Sequence, residues 1–274
     1  MIGRAVVLSL AVMALVATAQ PSGAQETGET TAVSYDESVT EFGRLHLAAQ
    51  VLGYQYSKPA AGLVATLSVV FELRPRFFLT ARATLPIYGL NTNNAAPRRL
   101  EAGVVLVFKN QLQVEMDHVT LKQTQKDHII EDTFVNVPHA NRSRAALEAA
   151  ILAVHGGARF TDVTGAVVDT QTMALVAAVG INAMDTHGYV TSVEKYGKLR
   201  SFLWTTGGLD FLYDLTRTYD VEPTDKGRKY GGRIWGETMF GRHVGVATRL
   251  ELGKYPGQMG WMFLASVGGS LHAL

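Results

Sequence analysis

From Leu45 onward the chain alternates between apolar and polar positions with a period of two. Leu63, Ala65, Leu67, Val69, Phe71 and Leu73 form one row, and Val64, Thr66, Ser68, Val70, Glu72 and Arg74 lie between them. Leu79, Ala81, Ala83, Leu85 and Ile87 alternate with Thr80, Arg82, Thr84 and Pro86. Val244, Val246, Thr248, Leu250 and Leu252 repeat the pattern, as do Trp261, Phe263, Ala265, Val267 and Leu271. Successive side chains on a strand point to opposite faces, so a period of two predicts β-structure. One face is apolar throughout, while the other is small or polar and carries charges. Strands read this way when one side meets lipid and the other a lumen.

Many segments run about 10 to 13 residues, a length suited to a tilted strand crossing a bilayer. They predict strands at 44–56, 62–74, 77–89, 99–109, 112–123, 144–155, 158–168, 172–183, 188–196, 199–206, 208–218, 230–240, 243–254 and 259–271. Merging two short strands between 158 and 218 lowers the count from fourteen to twelve. Tight turns are expected at Arg74-Pro75-Arg76, Lys109-Asn110-Gln111, His155-Gly156-Gly157, Asp185-Thr186-His187 and Gly241-Arg242-His243. Longer connections are expected at Ser57–Ala61, Leu90–Arg98, Gln123–Ser143 and Arg217–Arg228. Phe71, Phe77, Phe108 and Phe240 sit beside the tight turns, and Tyr56, Tyr88, Tyr219, Tyr230 and Tyr255 beside the longer ones. Aromatic girdles at two interfaces have this distribution. Ser143–Val154 has helical propensity. It is read as a strand because it parallels 99–107, placing Glu148 where Glu101 stands.

The N-terminus obeys a different rule. Arg4 precedes an uncharged apolar run from Ala5 to Ala17, followed by Ala17-Thr18-Ala19 and Ser22-Gly23-Ala24. That order is a secretory signal, with cleavage expected after Ala24. The run is shorter than the roughly 20 apolar residues a membrane helix needs. Three segments follow: a signal peptide at 1–24, a polar acidic leader at 25–43 and a barrel at 44–274.

The chain has 25 basic and 24 acidic residues, and loss of Arg4 leaves them equal. Net neutrality argues against a nucleic-acid binder, which needs a basic surface. The absence of cysteine excludes disulfides and a lipid-modified N-terminal cysteine. A soluble periplasmic β-protein is the main alternative, but it would have to hide too many apolar faces in one core.

In pattern, though in no specific motif, Leu45 to Leu274 resembles bacterial outer-membrane β-barrel proteins as a class. Many members of that class end in an aromatic residue. This sequence ends Leu271-His272-Ala273-Leu274, with Phe263 its last aromatic. The resemblance implies an all-β antiparallel transmembrane barrel of 12–14 strands in a bacterial outer membrane. Its partners would be outer-membrane lipid and the barrel assembly machinery.

Candidate chemistry lies on the inward face. By register this face carries Glu72, Arg74, Arg82, Glu101, Glu115, Asp117, Glu148, Arg233, Glu237, Arg249 and Glu251. Charges of both signs can pair across a narrow lumen or set ion preference along a wet pore. Arg82 with Glu115 and Arg249 with Glu237 are the predicted pairs. Val64, Val70, Val105, Val107, Ala150 and Val154 would fill part of the same lumen. No Gly-x-Ser-x-Gly, His-Glu-x-x-His or phosphate-loop motif is present. No catalytic residue, cofactor or metal ligand is therefore assigned. The segment 123–143 holds an apolar cluster of Ile129, Ile130, Phe134, Val135 and Val137, unusual for a solvated loop. The pattern fits a passive, porin-like channel. One alternative is a structural barrel anchoring an envelope-spanning secretion or gliding complex, with periplasmic or lipoprotein partners. The other is an outer-membrane enzyme.

Overall fold

Ten antiparallel strands close into a barrel in which each pairs with its neighbours in chain order and β1 pairs with β10. They are β1 (Leu45–Ser57), β2 (Ala61–Arg74), β3 (Phe77–Gly89), β4 (Arg98–Lys126) and β5 (Ile129–Thr161), then β6 (Val167–Val193), β7 (Gly197–Tyr219), β8 (Tyr230–Phe240), β9 (Val244–Lys254) and β10 (Met262–Ala273). This computed structural model describes residues 45–57, 61–89, 98–126, 129–161, 164–193, 196–219, 228–241, 244–256 and 261–273. The predicted signal peptide, its cleavage site at Ala24 and the leader at 25–43 lie outside the described residues.

The count of ten corrects the expected twelve to fourteen. Lys109-Asn110-Gln111, His155-Gly156-Gly157 and Asp185-Thr186-His187 are not turns but run straight through β4, β5 and β6. The break expected between 206 and 208 is also absent, because Gly207 and Gly208 pair with Gly236 and Trp235 inside β7. Glycine and polar side chains looked like punctuation, yet cross-strand hydrogen bonding on both sides carries the backbone through them. Ser143–Val154 lies wholly within β5, as a strand.

The register fixes the tilt. From Ala49, pairing runs through Leu67 and Ala83 to Leu100 on β4. In the other direction it runs through Gly269, Val246, Phe240, Leu203, His187 and Asn141 to Gln113. Leu100 and Gln113 stand thirteen positions apart on one strand, a stagger that includes the bulge between Val107 and Lys109. Such a shear obliges the strands to lean on the barrel axis.

Side-chain alternation then sorts the residues. Leu67, Leu79, Leu100, Ile151, Val179, Ile181, Phe211 and Ile234 face outward and are exposed. Their partners in alternation, among them Ser68, Thr80, Arg99, Leu152, Ala178, Leu212 and Arg233, are buried inside. The outer wall is thus apolar and the lumen mixed, the inverse of a soluble protein's arrangement.

The two ends differ. The start of β1, the end of β10, the β2–β3 turn, the end of β8 and the start of β9 share one end, here called the termini end. At that end β4, β5, β6 and β7 do not stop at the rim. The β4–β5 ladder continues to Lys126↔Ile129, and the β6–β7 ladder to Val193↔Gly197. Pairing of β5 with β6 stops at Ala140↔Gly188, beyond which the two hairpins pack through side chains. Val135, Val137 and Val193 are buried there against Val119, Leu121, Tyr189 and Leu199. The stretch read as a long loop at 123–143 is therefore paired β-structure at the termini end. This placement also corrects the expected sidedness of short and long connections. Of its apolar residues, Val135 and Val137 belong to the core of this projection.

Candidate functional site: the barrel lumen

Along the axis the lumen is filled in three layers. Near the far end, opposite the termini, Ala150, Leu152, Ala174, Val176, Ala178, Leu212, Tyr255 and Met262 form an apolar cluster. Near the termini end, Ala48, Phe202, Trp204, Met239 and Ala247 form a second. Val70, Phe78, Val105, Val107, Ala146 and Met184 line the adjoining wall. Between these layers lies a lattice of charged side chains.

Arg233 stands at the lattice's centre. From β8 it donates two parallel hydrogen bonds to Glu101 on β4, at 2.7 and 2.6 Å, and a third from Nε to Asp210 on β7 at 2.6 Å. Because β8 and β4 lie on different sides of the barrel, the Glu101 contact crosses the lumen. Arg82 Nη1 on β3 donates to Glu101 and to Glu148 on β5, each at 2.8 Å. Arg249 Nη2 on β9 donates to Glu251 at 3.0 Å and its Nη1 to Glu237 at 3.4 Å. Arg99 on β4 reaches across to Glu251, and the same guanidinium donates to Tyr255 Oη. The Tyr255 hydroxyl in turn donates to Glu251.

Neutral groups complete the shell. Trp235 lies between two guanidinium groups, 4.3 Å from Arg82 and 4.9 Å from Arg249. Its indole N–H donates to Asp210 at 3.1 Å. Asn182 donates to Glu148 at 3.1 Å, and Thr206 to Asn182 at 2.9 Å. Thr66 and Ser266 each donate to the Gln50 amide oxygen at 2.5 Å. A charge taken out of water is costly unless it is paired and its remaining valences are bonded. Arg82, Arg99, Arg233 and Arg249 are each paired here against Glu101, Glu148, Asp210, Glu237 and Glu251, while Arg82 Nε and Asp210 Oδ1 are buried without a hydrogen-bond partner among the described residues. A cavity of about 10 Å³ bordered by Thr66, Ser68, Thr84, Arg99 and Arg249 remains within the lattice. That is room for roughly one water molecule.

Of the predicted inward charges, Arg82, Glu101, Glu148, Arg233, Glu237, Arg249 and Glu251 are buried in the lattice. Glu72 is half-buried near the termini rim. Arg74, Glu115 and Asp117 are corrections, being exposed to solvent. Arg74 ends β2 at the rim, while Glu115 and Asp117 lie on β4 beyond the barrel wall, where there is no lumen to face. The expected pairing of Arg82 with Glu115 is replaced by Arg82 with Glu101 and Glu148. The Arg249–Glu237 contact is present at 3.4 Å. Tyr255, expected in an outer aromatic girdle, turns inward and is buried.

Arg99, Asp210, Gln50, Asn182 and Trp235 were not singled out from the sequence. Arg99 is two positions before Glu101 and so shares its face, a signal masked by placing the residue at a strand start. Nothing in Gly207-Gly208-Leu209-Asp210 marks Asp210 as inward until its pairing with Arg233 is known.

Outside the lumen, His139 Nδ1 lies 3.9 Å from Asp117 Oδ2 on the projecting sheet. The His139 ring is 5.9 Å from that of His187 and 6.2 Å from that of Tyr189. Among the described residues, no three histidine, aspartate or glutamate side chains are grouped to hold a metal ion.

No protein-family model matches the sequence, and no curated protein matches it. Among solved structures, the NanC porin in a rhombohedral crystal form aligns with 84% of this chain and 100% of its own. Its sequence identity is 9% and its TM-score 0.32, so this likeness carries no inference about function.

Proposed function

We infer that this chain is a bacterial outer-membrane barrel that anchors the projecting β4–β7 sheet in the cell envelope, as the structural element of an envelope-spanning assembly. One observation carries this reading. The axis is closed by the Arg233–Glu101 and Arg99–Glu251 bridges, with apolar layers above and below them. A passive channel needs a continuous wet path, and conduction here would require those buried pairs to part. The apolar outer wall supports lipid as the surrounding medium. In outer-membrane barrels with an even strand number both termini are periplasmic. The projecting sheet would then stand in the periplasm, where a secretion or motility complex could engage it. Its partners would be lipid, the barrel assembly machinery and a periplasmic protein or lipoprotein.

Reconstitution into planar bilayers tests the choice between anchor and channel. The anchor predicts a quiet trace over the full voltage range with protein that shows heat-modifiable mobility on gels. Discrete conductance steps from the wild-type chain would overturn it in favour of a porin. An enzymatic role is not favoured, because arginine contacts occupy the lumen carboxylates Glu101, Glu148, Glu237 and Glu251.

A further inference from the structure

Beyond the rim, β4 is bonded on one side only among the described residues. Its pairing with β3 ends at Phe77↔Leu106, and the Val107 N–H donates to the Arg76 carbonyl at 2.9 Å. From Lys109 onward, among the described residues, nothing pairs with β4 on the side away from β5. Among the described residues, a row of backbone donors and acceptors on this side has no partner strand. Natural proteins blunt such edges with proline, bulges or a covering element. No proline interrupts β4, and its two bulges lie at the base of this edge, between Val107 and Lys109, and near its tip, between Thr120 and Lys122.

The side chains along this edge have two distinct faces. Leu112, Val114 and Met116 lie on one face and are 46%, 51% and 65% exposed. Glu115 and Asp117 alternate with them on the other and are also exposed. Apolar side chains left at an open strand edge mark an interaction site. We propose that the free edge of β4 accepts an extended segment of a periplasmic partner that alternates apolar with lysine or arginine residues. Backbone bonding would extend the sheet by one strand. The partner's apolar residues would cover Leu112, Val114 and Met116, while its basic residues would stand opposite Glu115 and Asp117.

A second copy of this chain does not fit. Copies side by side in one membrane are related by an axis along its normal, which preserves the direction in which β4 rises. Antiparallel edge pairing requires that direction to reverse, and parallel pairing would set Glu115 and Asp117 beside the same acids of the other copy. This proposal rests on the anchoring reading for its periplasmic placement, but its test does not depend on conductance.

The test uses the full-length chain in detergent and a fluorescent peptide alternating leucine with lysine, read by polarisation. A peptide alternating leucine with glutamate and a scrambled leucine–lysine peptide serve as controls. The basic alternating peptide should bind at least tenfold more tightly than either. Glu115→Lys with Asp117→Lys should invert the preference between the two alternating peptides, and Val114→Pro should abolish binding of both. Heat-modifiable mobility checks that each variant still forms its barrel. Equal binding of all three peptides, no binding of any, or a preference unmoved by the double charge reversal would each overturn the proposal. A quiet bilayer trace with no peptide binding would leave the anchor standing and remove only this site.

Discussion

Arg233 and Glu101 face one another across the barrel, guanidinium fork to carboxylate, at 2.6 and 2.7 Å. They come from strands on different sides of the barrel, so the pair acts as a cross-brace. Arg82 shares the same carboxylate.

Removing the shared acceptor should therefore cost more than removing one donor. Glu101→Ala leaves Arg233 and Arg82 each short of a buried partner. Breaking a buried pair in this way costs about 3–5 kcal/mol. The expected outcome is a clear fall in the temperature at which the detergent-solubilised protein loses its compact gel mobility. A change near zero would show that water already reaches these groups.

Shortening the brace should also open the axis. Arg233→Ala combined with Arg99→Ala removes the two arginines whose ion pairs bridge β4 to β8 and to β9. Single-channel recordings are expected to show discrete steps absent from the wild type. Continued silence would point to the apolar layers alone as the seal.

The outer wall offers a test of its medium. Val179 faces outward from the middle of β6 and is 60% exposed. In lipid, arginine near the bilayer midplane of such a wall costs about 2–4 kcal/mol. In a soluble protein the same exposed change stays within about 0.5 kcal/mol. Folding titrations of Val179→Arg into lipid vesicles should show the larger penalty.

Glycine at 180 is required by its neighbours. A Cβ there would collide with Asp210 Oδ1 and with the Leu209 carbonyl oxygen. Because one of the obstacles is backbone, Gly180→Ala cannot be absorbed by a side-chain rotation alone. Overpacking of this kind costs about 1–3 kcal/mol. The same thermal assay should register it, together with lost protection of the β6–β7 amides.

Acid should loosen the projecting sheet before the barrel. Burial first, and His139 beside it second, hold the His187 imidazole below its ordinary 6.5, with Asp185 opposing. The folded state then binds a proton less readily than the unfolded one. Stability contributed by this site is complete above about pH 6.5 and declines as pH falls toward the depressed value. Protection factors at 134–141 and 184–191, taken relative to the intrinsic exchange rate at each pH, should fall between pH 7.5 and 5.5. His187→Gln should flatten that difference, and an unchanged pH response in the variant would assign the effect elsewhere.

Much of this barrel was legible from alternation alone, because a strand with lipid-type residues on one face and charges on the other has only one consistent placement. Glu101 and Glu148 could be assigned to the same face of their strands from the pattern alone, and both are buried. Strand number could not, because local sequence does not reveal whether Asn110 or Gly156 ends a ladder. That depends on a partner strand distant in sequence. The inward charges at Glu115 and Asp117 were misassigned for the same reason. Period two names the face of a residue but says nothing of its height. At the height of those two residues the wall has ended, and the bulge after Val107 has already exchanged the faces.

β4 through β7 pass from the barrel wall into the projecting sheet without an intervening loop. No hinge separates the part held by the wall from the part that reaches away from it. A load applied at the β4–β5 tip along the strands would be met in shear by a ladder of bonds acting in parallel, not by unzipping one pair at a time. Mechanically the projection is a lever rooted in its mount, able to transmit torque as well as tension to whatever surrounds the barrel.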